Sequence, residues 1–150
     1  MPDLSPENAR QRDLNRALEA LHFAFRAVIT VPDAVLAKRG LSRVHHRILY
    51  FIAKSPDLRV NELRTTLGVT KQAMNAPLRE LTKRRLVAES VDEADRRGKR
   101  LRLTAAGLEL ERILSGHQRD MFARVFRKVG KVNEEAWFEV MDLLASAPKP

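Results

Sequence analysis

Residues 60–104 read VNELRTTLGVTKQAMNAPLRELTKRRLVAESVDEADRRGKRLRLT, and this stretch decides the fold. Its first half has two segments with helical spacing, 60–67 and 71–84, separated by a turn at Gly68. Thr70 is a residue type that caps helix N-termini. The apolar residues of the second helix share one face: Met74, Leu78 and Leu81. Two short helices joined by a tight turn that contains glycine are typical of a helix-turn-helix.

The second half of the stretch changes from a helical to an alternating pattern. Residues 87–91 are predicted to form one strand, and residues 100–104 alternate arginines with leucines as a second strand. The charged segment 92–99 between them is the hairpin loop. A helix-turn-helix followed by a basic hairpin predicts a winged helix-turn-helix, whose second helix enters the DNA major groove while the hairpin reaches the backbone or the minor groove. The predicted fold class is mostly α with a two-stranded β-wing.

The segment before this winged unit is predicted to be helical. Its apolar residues have helical spacing: Leu14, Leu18, Leu21, Phe25 and Val28. Pro32 is expected to end this helix, because proline has no N–H to donate. A short helix over 33–39 follows, with Gly40 as its C-terminal stop, and Ser42 then caps a helix that Pro56 ends.

The segment after the winged unit is also predicted to be helical. Thr104 caps a long helix that bends at Gly116 and ends at Gly130, and a last helix covers 134–145. The apolar faces of the first and last helices are larger than one small winged domain requires, and the residues concerned are Leu14, Leu18, Leu21, Phe25, Trp137, Val140, Met141 and Leu144. They predict an interface with a second copy, and a self-contained helical core is the alternative. The chain then divides into an N-terminal dimerisation segment, 1–40, the winged domain, 41–104, and C-terminal dimerisation helices, 105–150.

Positive charge is concentrated in the winged unit. The 150 residues include 28 Lys and Arg against 19 Asp and Glu, which gives a net charge of +9. Residues 41–102 hold 15 basic and 7 acidic residues and therefore carry +8 of it. This excess of positive charge favours a polyanionic partner. Nucleic acid is favoured over a membrane surface because the basic segment contains turns and a hairpin rather than one amphipathic helix. A basic surface without a partner is the alternative.

The residue inventory excludes several other classes. There is no cysteine, so disulfides, thiolate metal sites and thiol redox chemistry are excluded. No run approaches the ~18 consecutive apolar residues of a membrane span, and residues 1–16 lack the apolar core of a signal peptide, so a cytoplasmic location is predicted. Adjacent His45 and His46 point about 100° apart on a helix, and no metal site is predicted. Known catalytic motifs are absent from the sequence, which predicts no enzyme and no cofactor.

The polar side of the second helix carries the candidate DNA contacts. Gln72 and Asn75 are expected to hydrogen-bond base edges, and Lys71 and Arg79 to reach phosphate or guanine. Thr70, at the start of the helix, belongs to the same set. On the wing the candidates are Asp95, Arg96, Arg97 and Lys99. The alternatives are a solvated polar face and a charged hairpin that resists edge pairing.

From residue 41 to residue 110 the chain resembles the multiple-antibiotic-resistance-regulator (MarR) family of bacterial transcription factors. The resemblance is carried by segments 61–70, 81–87 and 95–104, followed by Gly107. The Asp-Arg-Arg of the wing, followed by Leu-Thr-x-x-Gly, is its most specific part. The resemblance implies a homodimer held by the first and last helices, palindromic DNA sites and often a small aromatic or phenolic effector. It also implies a wing in the minor groove, with Asp95 orienting one arginine.

Two residues depart from the family pattern. Pro77 lies inside the recognition helix, where it removes a backbone hydrogen bond and is expected to tilt the C-terminal half. Ala94 stands where many members of the family have a further wing arginine, so one phosphate contact fewer is expected. An effector is expected in the cleft between the first helix, the 42–54 helix and the winged domain, with three polar contacts: His22, Arg26 and His45.

The sequence therefore predicts a sequence-specific regulator of transcription that binds a palindromic operator in duplex DNA as a homodimer and represses by occluding a promoter. Two other functions stay open. One is a winged-helix module that docks onto other proteins, and the other is RNA or non-specific nucleic-acid binding. Phe23, Tyr50 and Trp137 are scattered along the sequence, so no stacking platform is visible, which disfavours single-strand binding.

Overall fold

Six helices and one small antiparallel sheet make up residues 6–95 and 98–148, which are the residues described by this computed structural model. In chain order they are α1 (Pro6–Lys38), α2 (Arg43–Lys54), β1 (Leu58–Arg59), α3 (Val60–Leu67), α4 (Lys71–Lys83), β2 (Val87–Val91), β3 (Lys99–Leu103), α5 (Ala105–Val129) and α6 (Lys131–Ala145). The predicted fold class, mostly α with a winged helix-turn-helix, is confirmed.

The helix-turn-helix forms as its local signals predict. Helix α3 ends at Gly68, whose φ of 66° lies in the left-handed region and whose N–H donates to the Arg64 carbonyl at 3.0 Å. A glycine adopts this conformation without steric cost. The hydroxyl of Thr70 accepts the N–H of Ala73 at 3.1 Å and so caps α4. The face of α4 that is buried is the predicted one: Met74, Leu78 and Leu81.

The wing has one strand more than the sequence predicts. Strand β3 pairs antiparallel with β2 along its length and with the two-residue strand β1 on its other edge, which gives the order β1-β3-β2. Leu101 of β3 is fully buried. The pairing of Leu58 and Leu101 joins segments 43 residues apart, and β1 is too short to show an alternating pattern. The third strand was therefore missed.

The prediction that Pro32 ends the first helix is wrong. Helix α1 continues through Pro32 to Lys38, so the short helix predicted over 33–39 is its last part. A proline at this position leaves the carbonyl of residue 28 without its helical donor. The side-chain amide of Gln118, on α5, donates to that carbonyl at 3.3 Å. Val28 is partly buried, and this bond satisfies its carbonyl, which would otherwise lack a protein partner.

Pro77 and Gly116 do not interrupt their helices. Helix α4 runs from Lys71 to Lys83, and α5 from Ala105 to Val129. The carbonyl that Pro77 leaves without a donor belongs to Ala73, an exposed residue, where water is available as a substitute.

The start of α5 sits against the end of the helix-turn-helix at a glycine contact. A Cβ on Gly107 would lie 2.0 Å from the Leu86 carbonyl oxygen, so only glycine fits here. Thr104 fixes the same corner, because its hydroxyl donates to the Arg85 carbonyl at 2.6 Å and accepts the Gly107 N–H at 3.1 Å. This explains the Leu-Thr-x-x-Gly motif in packing terms.

Apolar burial is concentrated around the winged unit. The core draws on α2, α3, α4, β3 and the first turns of α5, with Ile48, Leu49, Leu63, Leu81 and Leu101 all without exposed surface. Helix α6 has no buried residue. The N-terminal part of α1 is equally open, and five of its large apolar side chains are more than half exposed: Leu14, Leu18, Leu21, Phe23 and Phe25.

Helix α1 is also long and apolar enough to cross a membrane by length and composition alone, over Asn8–Lys38. The expectation from uninterrupted apolar runs did not register this, because Arg16, Glu19 and Arg26 are interspersed among its apolar residues. Only 11% of the apolar window is buried. Helix α1 therefore presents a large apolar surface.

Candidate nucleic-acid interface

The outer face of α4 presents the polar residues predicted from its spacing. Lys71, Gln72 and Arg79 are exposed, and Asn75 is partly buried. The Thr70 hydroxyl is already engaged as the helix cap. Because Met74, Leu78 and Leu81 anchor the opposite face in the core, these polar side chains are held on a rigid helix.

A groove of about 540 Å³ lies between α4 and the wing. It brings together two predicted α4 residues, Asn75 and Arg79, with the predicted wing residue Lys99. Lys83 also lines it, a cation that the sequence analysis did not single out. Three cations in one open groove form a site for an anionic group.

One carboxylate enters this basic groove. Glu89 of β2 lies 3.2 Å from the Lys99 ammonium, measured from Oε2 to Nζ. Its other oxygen accepts a long hydrogen bond from the Thr82 hydroxyl at 3.5 Å. Lys99 is therefore held by an ion pair across the two strands of the wing.

The loop end of the two wing strands is stabilised by a buried aspartate. Asp92 is 4% exposed and lies 2.8 Å from the guanidinium of Arg59 and 3.2 Å from that of Arg100. The Ala94 N–H donates to the same carboxylate at 3.0 Å. This backbone hydrogen bond, together with the two arginines, lowers the pKa of Asp92. Arg59 and Arg100 thus neutralise a buried charge and position the wing.

Asp57 plays a similar part at the edge of the sheet. Both its oxygens accept hydrogen bonds of 2.6 Å from Arg102, and these bonds lower the pKa of Asp57. Its carbonyl accepts from Arg100 at 3.1 Å, and its φ of 67° is left-handed. The sequence analysis missed both aspartates, because their arginine partners lie on other segments of the chain.

The tip of the wing is a tight turn in its described part. The Gly98 N–H donates to the Asp95 carbonyl at 2.8 Å, and the Asp92 N–H donates to the Gly98 carbonyl at 3.0 Å. Asp95 is exposed. The predicted contacts Arg96 and Arg97 lie outside the residues that the structure describes, so the orientation of an arginine by Asp95 stays a prediction.

A second cavity, of about 390 Å³, lies between α1, α2 and α5. Its apolar wall includes Phe25, Ile29 and Phe51, and its polar lining includes Arg43, His46, Arg47 and Gln118. Arg43 forms an ion pair with Asp33 at 3.1 Å. The Nε2 of His46 lies 2.9 Å from the Ser115 hydroxyl, and burial lowers the pKa of His46.

The three residues predicted to contact an effector do not line this cavity. His45 instead accepts the Ser42 N–H at 3.0 Å through Nδ1, at the start of α2, and its pKa is lowered by burial and by Arg84. His22 is exposed and makes an edge contact with Phe23, and Arg26 is exposed on α1. The polar residues found at the cavity share no sequence motif. Within 6–95 and 98–148, no group of three or more histidine or acidic side chains is placed to hold a metal.

Comparison with known proteins places this geometry in a family context. The sequence model of the MarR family matches residues 39–98. The HTH-type transcriptional regulator PetP of Rhodobacter capsulatus is 37% identical over 131 residues, which are 87% of this chain and 79% of that protein. Two solved structures share the fold at low identity. Streptococcus pneumoniae FabT in complex with DNA is 20% identical with a TM-score of 0.77, over 88% of this chain and 94% of that one. Streptomyces coelicolor PcaV in complex with its natural ligand is 18% identical with a TM-score of 0.66, over 97% and 95% of the two chains.

Proposed function

Because this chain belongs to the MarR family of transcriptional regulators, we propose that it binds a palindromic operator in duplex DNA as a homodimer and represses transcription by occluding a promoter. The observation that carries the proposal is the outer face of α4, where exposed polar residues adjoin a groove lined by three cations. A structural neighbour, FabT, was solved in complex with DNA. Such a regulator acts in the cytoplasm.

In the proposed complex, α4 lies in the major groove. Gln72 and Asn75 are of the residue types that pair in bidentate fashion with adenine, and Arg79 with guanine. Lys71 and Lys99 contact phosphates. The wing tip, including Arg96 and Arg97, reaches the adjacent minor groove, where a narrow A·T-rich sequence offers a deeper negative potential.

The proposed dimer covers the apolar surfaces of α1 and α6. Leu18 is 69% exposed and Val132 is 80% exposed. Monomeric soluble proteins rarely leave large contiguous apolar patches in water. Isologous pairing of two copies covers the same faces on both and gives the complex a two-fold axis. Two recognition helices related by that axis meet half-sites about one helical turn apart, ~34–36 Å.

The proposed effector site is the cavity between α1, α2 and α5. An aromatic wall beside two arginines suits a small aromatic or phenolic anion. The cavity touches α2, which supports the helix-turn-helix, and α1, which we assign to the dimer interface. A ligand there controls DNA binding only if it binds one arrangement of these helices more tightly than the other.

Selection from a random DNA library tests the proposal. Enrichment of one palindrome by the full-length protein, with a dimeric mass by light scattering, is the expected result. A monomer that enriches no sequence would contradict both the operator and the dimer. Loss of binding to all duplexes would favour the protein-docking function, and equal binding to every duplex would favour non-specific association.

A further inference from the structure

The groove between α4 and the wing has an acidic side chain where a DNA-binding surface needs positive charge. Lys99 lies on β3 opposite Val91, so Glu89 is its diagonal neighbour on β2. Diagonal neighbours are within reach of long side chains on the same face of a sheet. The resulting ion pair places the Glu89 carboxylate beside a groove cation.

The two partners of this pair differ in their access to solvent. The Lys99 side chain is 60% exposed, whereas that of Glu89 is 26% exposed and also lies within reach of the Thr82 hydroxyl. The Glu89 side chain is therefore the less exposed partner of the pair, and its carboxylate contacts a cation of the groove. A phosphate oxygen would use the Lys99 ammonium in the same way.

Resting on the proposed function, we propose that this groove takes up a phosphate of the DNA backbone, and that Glu89 occupies the site as a stand-in anion in the free protein. Entry of the phosphate requires Glu89 to release Lys99, since a carboxylate and a phosphate cannot share one ammonium without mutual repulsion. Arg79 and Lys83 remain in the groove as the other cations that the phosphate meets.

This arrangement makes Glu89 a residue that lowers the affinity of the protein for every duplex. Non-specific binding to DNA rests almost entirely on phosphate contacts, whereas specific binding adds contacts with base edges. A carboxylate that competes for a phosphate contact weakens every complex by a similar factor. The ratio between operator and random-duplex affinities is then unchanged, and both affinities are lower than the cations of the groove would otherwise give.

The test compares Glu89→Gln with Glu93→Gln on the full-length protein. Both variants remove one negative charge from the wing, but Glu93 is exposed on the loop and does not line the groove. Affinity for the selected operator and for random duplex is measured over a range of salt concentrations. Glu89→Gln is expected to raise affinity about five-fold for both duplexes and to steepen the salt dependence by about one unit. Glu93→Gln reports the general gain from removing one charge, at most about two-fold.

A double variant distinguishes competition between Glu89 and a phosphate for Lys99 from the general effect of removing one negative charge. In a Lys99→Met background, the gain from Glu89→Gln is expected to fall to that of Glu93→Gln, because the cation that Glu89 holds is gone. A gain no larger than that of Glu93→Gln, or one that persists in Lys99→Met, would overturn the inference while leaving the operator binding of the unmodified protein intact. Failure of the unmodified protein to bind duplex would instead overturn the proposed function, and this inference with it.

Discussion

Ile48, Leu63 and Leu101 in the winged unit have no exposed surface, whereas Leu18 on α1 and Val132 on α6 are 69% and 80% exposed. Both regions are rich in apolar residues and both are helical, so composition does not explain the difference. The winged unit closes its core with elements from its own chain. The outer faces of α1 and α6 have no such partner among the described residues, which is expected of surfaces completed by a second copy.

The largest expected effect comes from a substitution that disturbs the packing of the winged unit. Gly107→Ala places a methyl group 2.0 Å from the Leu86 carbonyl oxygen, so the start of α5 has to move away from the segment that follows α4. We expect a loss of about 3 kcal/mol in the free energy of unfolding, measured by urea denaturation at fixed protein concentration.

Gly116→Ala on the same helix is the matched control. A Cβ there meets nothing within 4 Å. Alanine is expected to stabilise the helix interior by about 0.5–1 kcal/mol. Equal stability of the Gly107 variant and the unmodified protein would contradict the close contact.

The next prediction concerns the exposed apolar face of α1. Leu18→Glu introduces a charge on the exposed apolar face of α1 and is expected to cost ~1.5–3 kcal/mol of association free energy per buried side chain, so the dimer dissociates at least ten-fold more readily. Sedimentation at several concentrations measures this. Arg16→Glu, on the opposite side of the same helix, is expected to leave the dimer intact. A dimer that tolerates Leu18→Glu would place the interface elsewhere.

A third prediction separates the two elements of the winged unit that we propose to contact DNA, α4 and the wing. Asn75→Ala is expected to cost ~1–3 kcal/mol on the operator and little on random duplex, because it removes a base contact. Lys99→Ala is expected to weaken all duplexes evenly and to lower the salt slope by about one unit. Identical salt titrations for the two variants would refute this division.

The smallest expected effect is a pH dependence of the free energy of unfolding that arises from two histidines on α2. Burial lowers the pKa of His46 and of His45 in the folded protein, so the unfolded chain takes up protons first as the pH falls. Stability is expected to be full above the unfolded pKa of about 6.5 and to decline as the pH falls from there toward the lower folded pKa. The loss is under about 1 kcal/mol, because both side chains are only partly buried.

Replacement of both histidines by glutamine is expected to flatten this decline. Melting temperature between pH 7.5 and pH 5 measures it. An unchanged pH profile in the double variant would mean that other groups carry the dependence.

The sequence predicts the elements that depend on neighbouring residues, and it does not predict those that depend on contacts between distant residues. The caps at Thr70 and Thr104, the turn at Gly68 and the strand alternation around Leu101 are local signals, and each element that they indicate is present. Helix α1 continues past Pro32, and Gln118, 90 residues away in sequence, donates to the carbonyl that proline leaves without its helical donor. No local rule contains that partner.

The candidate site divides in the same way. The polar face of α4 follows from helical spacing, and the structure places Asn75, Arg79 and Lys99 around one groove. Asp92 and Glu89 were not predicted, because their roles depend on cations from β1 and β3. The cavity between α1, α2 and α5 likewise combines residues from three helices, and the sequence analysis nominated other polar residues for it.

The central claim is that a second copy covers the exposed apolar faces of α1 and α6 and brings two recognition helices to one DNA site. The mass of the protein–DNA complex tests this claim most directly. Sedimentation equilibrium with a selected palindrome and with its isolated half-site measures both stoichiometry and affinity. The account predicts two chains per palindrome and binding to the half-site that is at least ten-fold weaker. One chain per duplex, with equal affinity for the half-site and the palindrome, would contradict it.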